Sequence, residues 1–275
     1  MEGACHREAE LRELTGEEES YLVEPGAPWL PAQWATEVLA RCLVSLGEKT
    51  PVTRDAVRSL TVGDREALLL QLRRISTGDP LQCILTCPSP DCRRKMDLEL
   101  KVSDLLVPPC SEAMQTYETT VEDAGQAYWV RFRVPTGSDQ EAAAALARSD
   151  LGGAEELLLR RCVELVTGVD GAGVDSFPAA IREQLPARMA ELDSQAELTL
   201  RLTCPVCYCP FAAIFDAISY VFEEMRARVS HLYREVHLLA YHYHWSLSEI
   251  LGMHMRTRRR YLQLLEDDLA KPRQP

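Results

Sequence analysis

Leu85-Thr86-Cys87-Pro88-Ser89-Pro90-Asp91-Cys92 and Leu202-Thr203-Cys204-Pro205-Val206-Cys207 share a Leu-Thr-Cys-Pro lead, and each closes on a second cysteine within a few residues. The flanks of both stretches alternate in hydropathy. Leu81, Cys83 and Leu85 run into the first, and Met96, Leu98, Leu100 and Val102 run out of it. Leu198, Leu200 and Leu202 lead into the second, and Phe211, Ala213 and Phe215 answer them. Period two on both sides of a tight connection describes a β-hairpin. The pattern therefore predicts two related hairpins, each with a cysteine pair at its tip.

Two such tips facing each other supply the four thiolates of a tetrahedral structural zinc site. The expected ligands are Cys87, Cys92, Cys204 and Cys207, holding one structural zinc per chain. Ordinary buried cysteines in a reduced protein are the competing reading. One pair would not outweigh it; two pairs with a shared lead do. Cys209 competes for a place in the second pair, but a one-residue gap does not easily swing two sulfurs to the same side. Cys83 falls on the apolar face of its strand, and the isolated Cys5, Cys42, Cys110 and Cys162 read as buried side chains. Four sulfurs leave no coordination position for water or substrate, which argues against zinc catalysis. Closing a loop as long as that from Cys92 to Cys204 is worth about 4 to 5 kcal/mol in chain entropy. Zinc sites of this kind bind with about 10 kcal/mol or more, so the metal is expected to organise the fold.

Outward from the hairpins the chain divides into an acidic mobile arm (1–28), an N-terminal helical region (29–78), the first knuckle hairpin (79–109), a β-pair with a helical insert (110–195), the second knuckle hairpin (196–216) and a C-terminal helical region (217–275). Trp34, Val38, Cys42 and Leu46 recur every four residues before Gly47, which predicts a helix with a glycine stop. Asp64 is the expected cap of a second helix ending at Gly78. Strands are expected over 117–121 and 128–134, joined around Asp123-Ala124-Gly125. Ser138 and Glu141 read as a capping box for an alanine-rich helix, a further helix over 154–166 follows, and 168–175 reads as a loop. Ile218, Phe222, Met225, Val229, Leu232, Val236, Leu239 and Tyr243 then form a heptad seam from Asp216 to His244, a helix close to 40 Å long. Ser246 and Glu249 cap the next helix, with Trp245 and Ile250 as a staple. The fold class is thus α+β: a discontinuous, zinc-ribbon-like pair of hairpins surrounded by helices.

The 275 residues carry 42 acidic and 30 basic side chains, a net charge of -12 that repels phosphate and argues against broad nucleic-acid binding. No run approaches the roughly 20 apolar residues of a membrane helix, and Met-Glu-Gly-Ala-Cys-His-Arg-Glu is no secretory leader. The expected location is the cytoplasm, with its cysteines reduced. His237, His242 and His244 lack the paired spacing of a zinc protease and read as polar-aromatic packing at a helix interface. Arg256, Arg258, Arg259 and Arg260 read first as a solvated face pairing with the chain's own carboxylates, second as a site for an acidic partner and third as an RNA contact. No phosphate loop, nucleophile elbow or catalytic triad appears, so the chain is not expected to be an enzyme. Partner contacts are expected at Trp34, Val229, Leu232 and Trp245, and the heptad helix is long enough to support an oligomer.

Leu60-Thr61-Val62-Gly63-Asp64-Arg65-Glu66-Ala67-Leu68-Leu69-Leu70, Pro135-Thr136-Gly137-Ser138-Asp139-Gln140-Glu141-Ala142-Ala143, and the stretch from Glu235-Val236-His237 through Tyr243-His244-Trp245-Ser246 are stations of a resemblance over about residues 8–268. In their order they resemble the T-even-phage baseplate hub assembly chaperone family, in the form found beside genes for phage-tail-like contractile injection systems. The resemblance implies a non-enzymatic role in assembling the baseplate or its hub, with baseplate or hub proteins as partners. It supplies no site residues; the zinc ligands rest on spacing alone. The rival reading is a zinc-ribbon regulatory or nucleic-acid-associated protein, for which Arg93, Arg94 and Lys95 at the first knuckle speak.

Overall fold

A computed structural model describes residues 8–21, 29–108, 114–168 and 177–270. The first elements are β1 (Ala9–Leu11), α1 (Gly16–Tyr21), α2 (Pro31–Cys42) and β2 (Leu43–Leu46), with β1 antiparallel to β2. Residues 8–21, expected within a mobile acidic arm, are docked. Glu18 and Glu19 are buried because cations meet them: Arg12 donates to Glu18 at 2.6 Å and Arg258 to Glu19 at 2.7 Å. Helix α2 stops at Cys42 rather than running to Leu46, because the next four residues extend to pair with β1; Gly47, at φ 56°, turns the chain after β2.

α3 (Arg54–Arg58) and α4 (Val62–Thr77) follow. The cap of α4 is Thr61, which accepts the Asp64 N–H at 3.1 Å, so Asp64 lies inside the first turn and is not the cap. The first knuckle hairpin is β3 (Pro80–Thr86) with β4 (Lys95–Lys101), paired from Pro80↔Lys101 to Thr86↔Lys95, and α5 (Val102–Leu105) leaves it.

β5 (Tyr117–Asp123) and β6 (Gln126–Phe132) turn at Ala124 and Gly125, both with positive φ. In α6 (Gly137–Ala147) the cap is Thr136, reciprocated by Asp139 rather than by the expected Ser138–Glu141 pair. Glu141 instead accepts from Thr36 and Arg58, tying α6 to α2 and α3. α7 (Leu151–Cys162) ends four residues before the expected Val166. The chain continues as β7 (Val163–Gly168), whose β-branched residues pair with β6 to give the sheet order β5-β6-β7. α8 (Ala179–Leu192) packs against this sheet. Of the loop expected over 168–175, all but Gly168 lies outside the described residues, as do Cys5 and Cys110.

The second knuckle hairpin is β8 (Leu198–Thr203) with β9 (Pro210–Phe215). α9 (Ala217–Tyr243) fills the expected heptad span, capped by Asp216 and ended by His244 in the left-handed region. α10 (Leu247–Leu251) carries the Ser246–Glu249 capping box, and α11 (Met255–Ala270) closes the described chain.

Three apolar clusters result. α2, α4 and the first half of α9 share one; β5–β7, α7 and α8 share another; the third lies beneath the two knuckle hairpins, where Leu70, Leu81, Val102, Leu198 and Phe215 meet. The α9 seam is therefore spent largely within the chain, which corrects two partner residues. Trp34 is 0% exposed and packs edge-on against Phe222 at 5.4 Å, and Leu232 is 2% exposed. Both belong to the core. Val229 is half-buried on α9, and Trp245 stacks on Tyr243 at 4.7 Å and meets Tyr261 edge-on at 4.8 Å.

Candidate metal centre

The two hairpins bring their tips together. Cys87 Sγ lies 3.6 Å from Cys207 Sγ and Cys92 Sγ lies 3.8 Å from Cys204 Sγ, each contact crossing between hairpins. All four sulfurs fall within 4.8 Å of one another. A disulfide would need about 2.05 Å. Four sulfurs placed tetrahedrally about 2.3 Å from a zinc ion stand about 3.8 Å apart. The donor set and its spacing fit a metal ion.

The two tips are built alike. The Cys87 N–H donates to the Arg94 carbonyl at 2.9 Å, and the Cys204 N–H to the Cys209 carbonyl at 3.0 Å, each reaching two residues beyond the second cysteine. Inside the first tip the Cys92 and Arg93 N–H groups donate to the Ser89 carbonyl; inside the second the Tyr208 N–H donates to the Cys204 carbonyl. The residue after each second cysteine takes the left-handed conformation, Arg93 at φ 49° and Tyr208 at φ 58°. Cys209 closes its tip through its backbone, while its thiol turns away to the Pro210 carbonyl at 3.6 Å.

The four thiols differ in burial and in their hydrogen bonds. Cys87 and Cys204 are fully buried, Cys92 is half-buried and Cys207 is exposed. The N–H groups of Cys207 and Val206 donate to Cys204 Sγ and draw its thiol pKa down to about 6. Burial pushes Cys87 up to about 12, against the Ser89 N–H that donates to it. Held as thiolates, four sulfurs this close would repel one another, and a divalent ion between them would relieve that repulsion while the backbone N–H groups stabilised the remaining charge.

Among the described residues no other group of three or more His, Cys, Asp or Glu side chains has metal-binding spacing. His237 is exposed on α9 and stacks on Tyr241 at 6.3 Å, His242 meets Tyr241 edge-on, and His244 ends the helix. Arg258 is fully buried while Arg256, Arg259 and Arg260 are exposed. Cys42 and Cys162 are buried, and burial lifts both thiols to about 12. No described helix is long and apolar enough to cross a membrane. Two features escape a reading by periodicity. Glu66 is buried within α4, although Asp64-Arg65-Glu66 has the composition of a solvated turn. An acidic-rimmed groove opens between α6, α7 and α8, for which the alanine run 142–145 is the one visible sign.

Residues 7–222 match the family model described as T4 bacteriophage base plate protein. The match takes in both knuckle hairpins and ends within α9. Neither a search of curated proteins nor one of solved structures found a match.

Proposed function

The chain belongs to the T4 bacteriophage base plate protein family, and from that premise we propose that it is a zinc-stapled, non-enzymatic assembly factor or structural component of the baseplate or hub of a phage-tail-like contractile injection system. It acts by binding baseplate or hub proteins. The family match over most of the chain carries this reading. The sulfur cluster supports the non-enzymatic part, since a zinc ion held by Cys87, Cys92, Cys204 and Cys207 has no position left for a reactant. Zinc supplies cross-linking here. The cysteines fix the relative position of two hairpins that lie far apart in the chain, and hence of the helices leading in and out of them.

The test is native mass spectrometry on tagged protein purified from its own host under reducing conditions. A co-purifying, identified baseplate or hub protein is the expected result. Bound nucleic acid in its place, with steep salt dependence, would overturn the reading in favour of a zinc-ribbon regulator working through the exposed Arg93, Arg94 and Lys95.

A further inference from the structure

Helices α6, α7 and α8 enclose an open groove of about 1000 Å³ that none of the three apolar clusters fills. Its floor is apolar and largely made of small or compact residues: Ala143, Ala147, Leu158, Pro186, Met189 and Ala190. At its lip Leu151 is 65% exposed, a large apolar side chain left in water at the first turn of α7. The rim is acidic. Glu155, Glu183 and Glu197 line it without an ion-pair partner among the described residues. Its one cation, Arg182, is held by Glu156 at 3.0 Å.

From these features we propose that the groove docks an amphipathic helix of a partner protein, apolar on the face that enters and lysine- or arginine-rich on its flanks. The shape and lining favour a helix. Short side chains on the floor let a partner's larger apolar residues sink between α6 and α8, and anchors at i, i+3, i+4 and i+7 match such a trough. The charge chooses its sign: three unneutralised carboxylates at the rim attract basic flanks and repel acidic ones. The proposal rests on the assembly reading only in taking the partner to be a protein.

The probe is a synthetic amphipathic peptide of about 18 residues, leucine on one helical face and lysine on the rest. Binding to the full-length chain is followed by fluorescence anisotropy. A twin with glutamate for lysine and a scrambled Leu/Lys peptide serve as controls. The Leu/Lys peptide is expected to bind, and its affinity to fall by about tenfold or more in Ala147→Trp, which fills the groove, and in the double variant Glu155→Lys/Glu183→Lys. These positions are exposed, so the fold should survive, and an unchanged Tm checks that it does. The glutamate twin should bind more weakly by a similar factor. No binding, equal binding by the scrambled peptide, or binding unaffected by Ala147→Trp would overturn the proposal. Co-purification separates the two readings. An identified baseplate protein retained equally by wild type and Ala147→Trp contradicts the groove and leaves the assembly role standing. Peptide binding at the groove by a chain that retains no baseplate protein supports the groove and counts against that role.

Discussion

Glu66 has one carboxylate oxygen, Oε2, buried without a hydrogen-bond partner, and the Ala217 N–H donates to the group. Burial first, then the negative charges of Asp216 and Asp193, lift its pKa from 4.5 to about 9. Between those values the folded state holds a proton that the unfolded chain has released. The contribution of this group to stability therefore falls as pH rises from about 4.5 to about 9. Glu66→Gln keeps the shape and cannot ionise, so its Tm should match wild type near pH 4 and exceed it at pH 8. Equal pH slopes in the two proteins would show that Glu66 is ionised throughout. Backbone strain gives a second prediction at this scale. Tyr208 and Arg93 hold a conformation that favours glycine, so Tyr208→Gly or Arg93→Gly should raise stability by about 0.5 to 1 kcal/mol in urea titration. A loss would contradict the left-handed turns. The cysteine pairs are legible in the sequence because ligand chemistry fixes both residue type and spacing. Burial of Glu66 is not, because it is imposed by Asp193 and by the start of α9, far away along the chain.

At the scale of elements, the seam of α9 is visible as a heptad repeat with both of its ends. What covers the seam is not visible, since hydrophobic periodicity says that a face is buried and not by what. α2, α4, α10 and α11 cover it, along with α1. Arg258 locks that arrangement, with no exposed surface. It donates from Nε to Glu235 on α9 at 2.9 Å, from one terminal nitrogen to Glu19 on α1 at 2.7 Å, and from the other to the Met253 carbonyl. By sequence pattern it is one of four arginines on a solvated helix. Gly16 belongs to the same junction, because a side chain there would meet Arg258 and the Leu251 backbone at about 3 Å. Arg258→Leu leaves the buried Glu19 and the half-buried Glu235 unpaired and should cost about 3 to 5 kcal/mol by chemical denaturation. A loss below about 1 kcal/mol, the range of exposed pairs, would contradict the buried network. The departures from expectation at α2 and α7 share one cause: Leu43–Leu46 and Val163–Gly168 continue a helical apolar period, but an available strand edge captures each.

At the scale of the molecule, the four sulfurs join two hairpins between which lies the whole β5–β7 and α6–α8 unit, with its own apolar cluster and the groove on its surface. Cys92 and Cys204 stand 112 positions apart, so a metal there closes a long loop and takes about 4 to 5 kcal/mol of entropy from the unfolded chain. The repeated Leu-Thr-Cys-Pro lead makes this closure legible in the amino-acid sequence itself. The groove is not legible there, because it depends on the relative placement of three helices, one of them α8 with Pro186 interrupting its sequence pattern. In the proposed function one zinc ion staples the two hairpins. Native mass spectrometry of the reduced, purified chain beside Cys204→Ser, with thermal melting of both, tests it most directly. One zinc per wild-type chain is expected, and in Cys204→Ser loss of the metal with a lower Tm or insoluble protein. A metal-free wild-type chain that melts cooperatively at the same temperature as Cys204→Ser would contradict it.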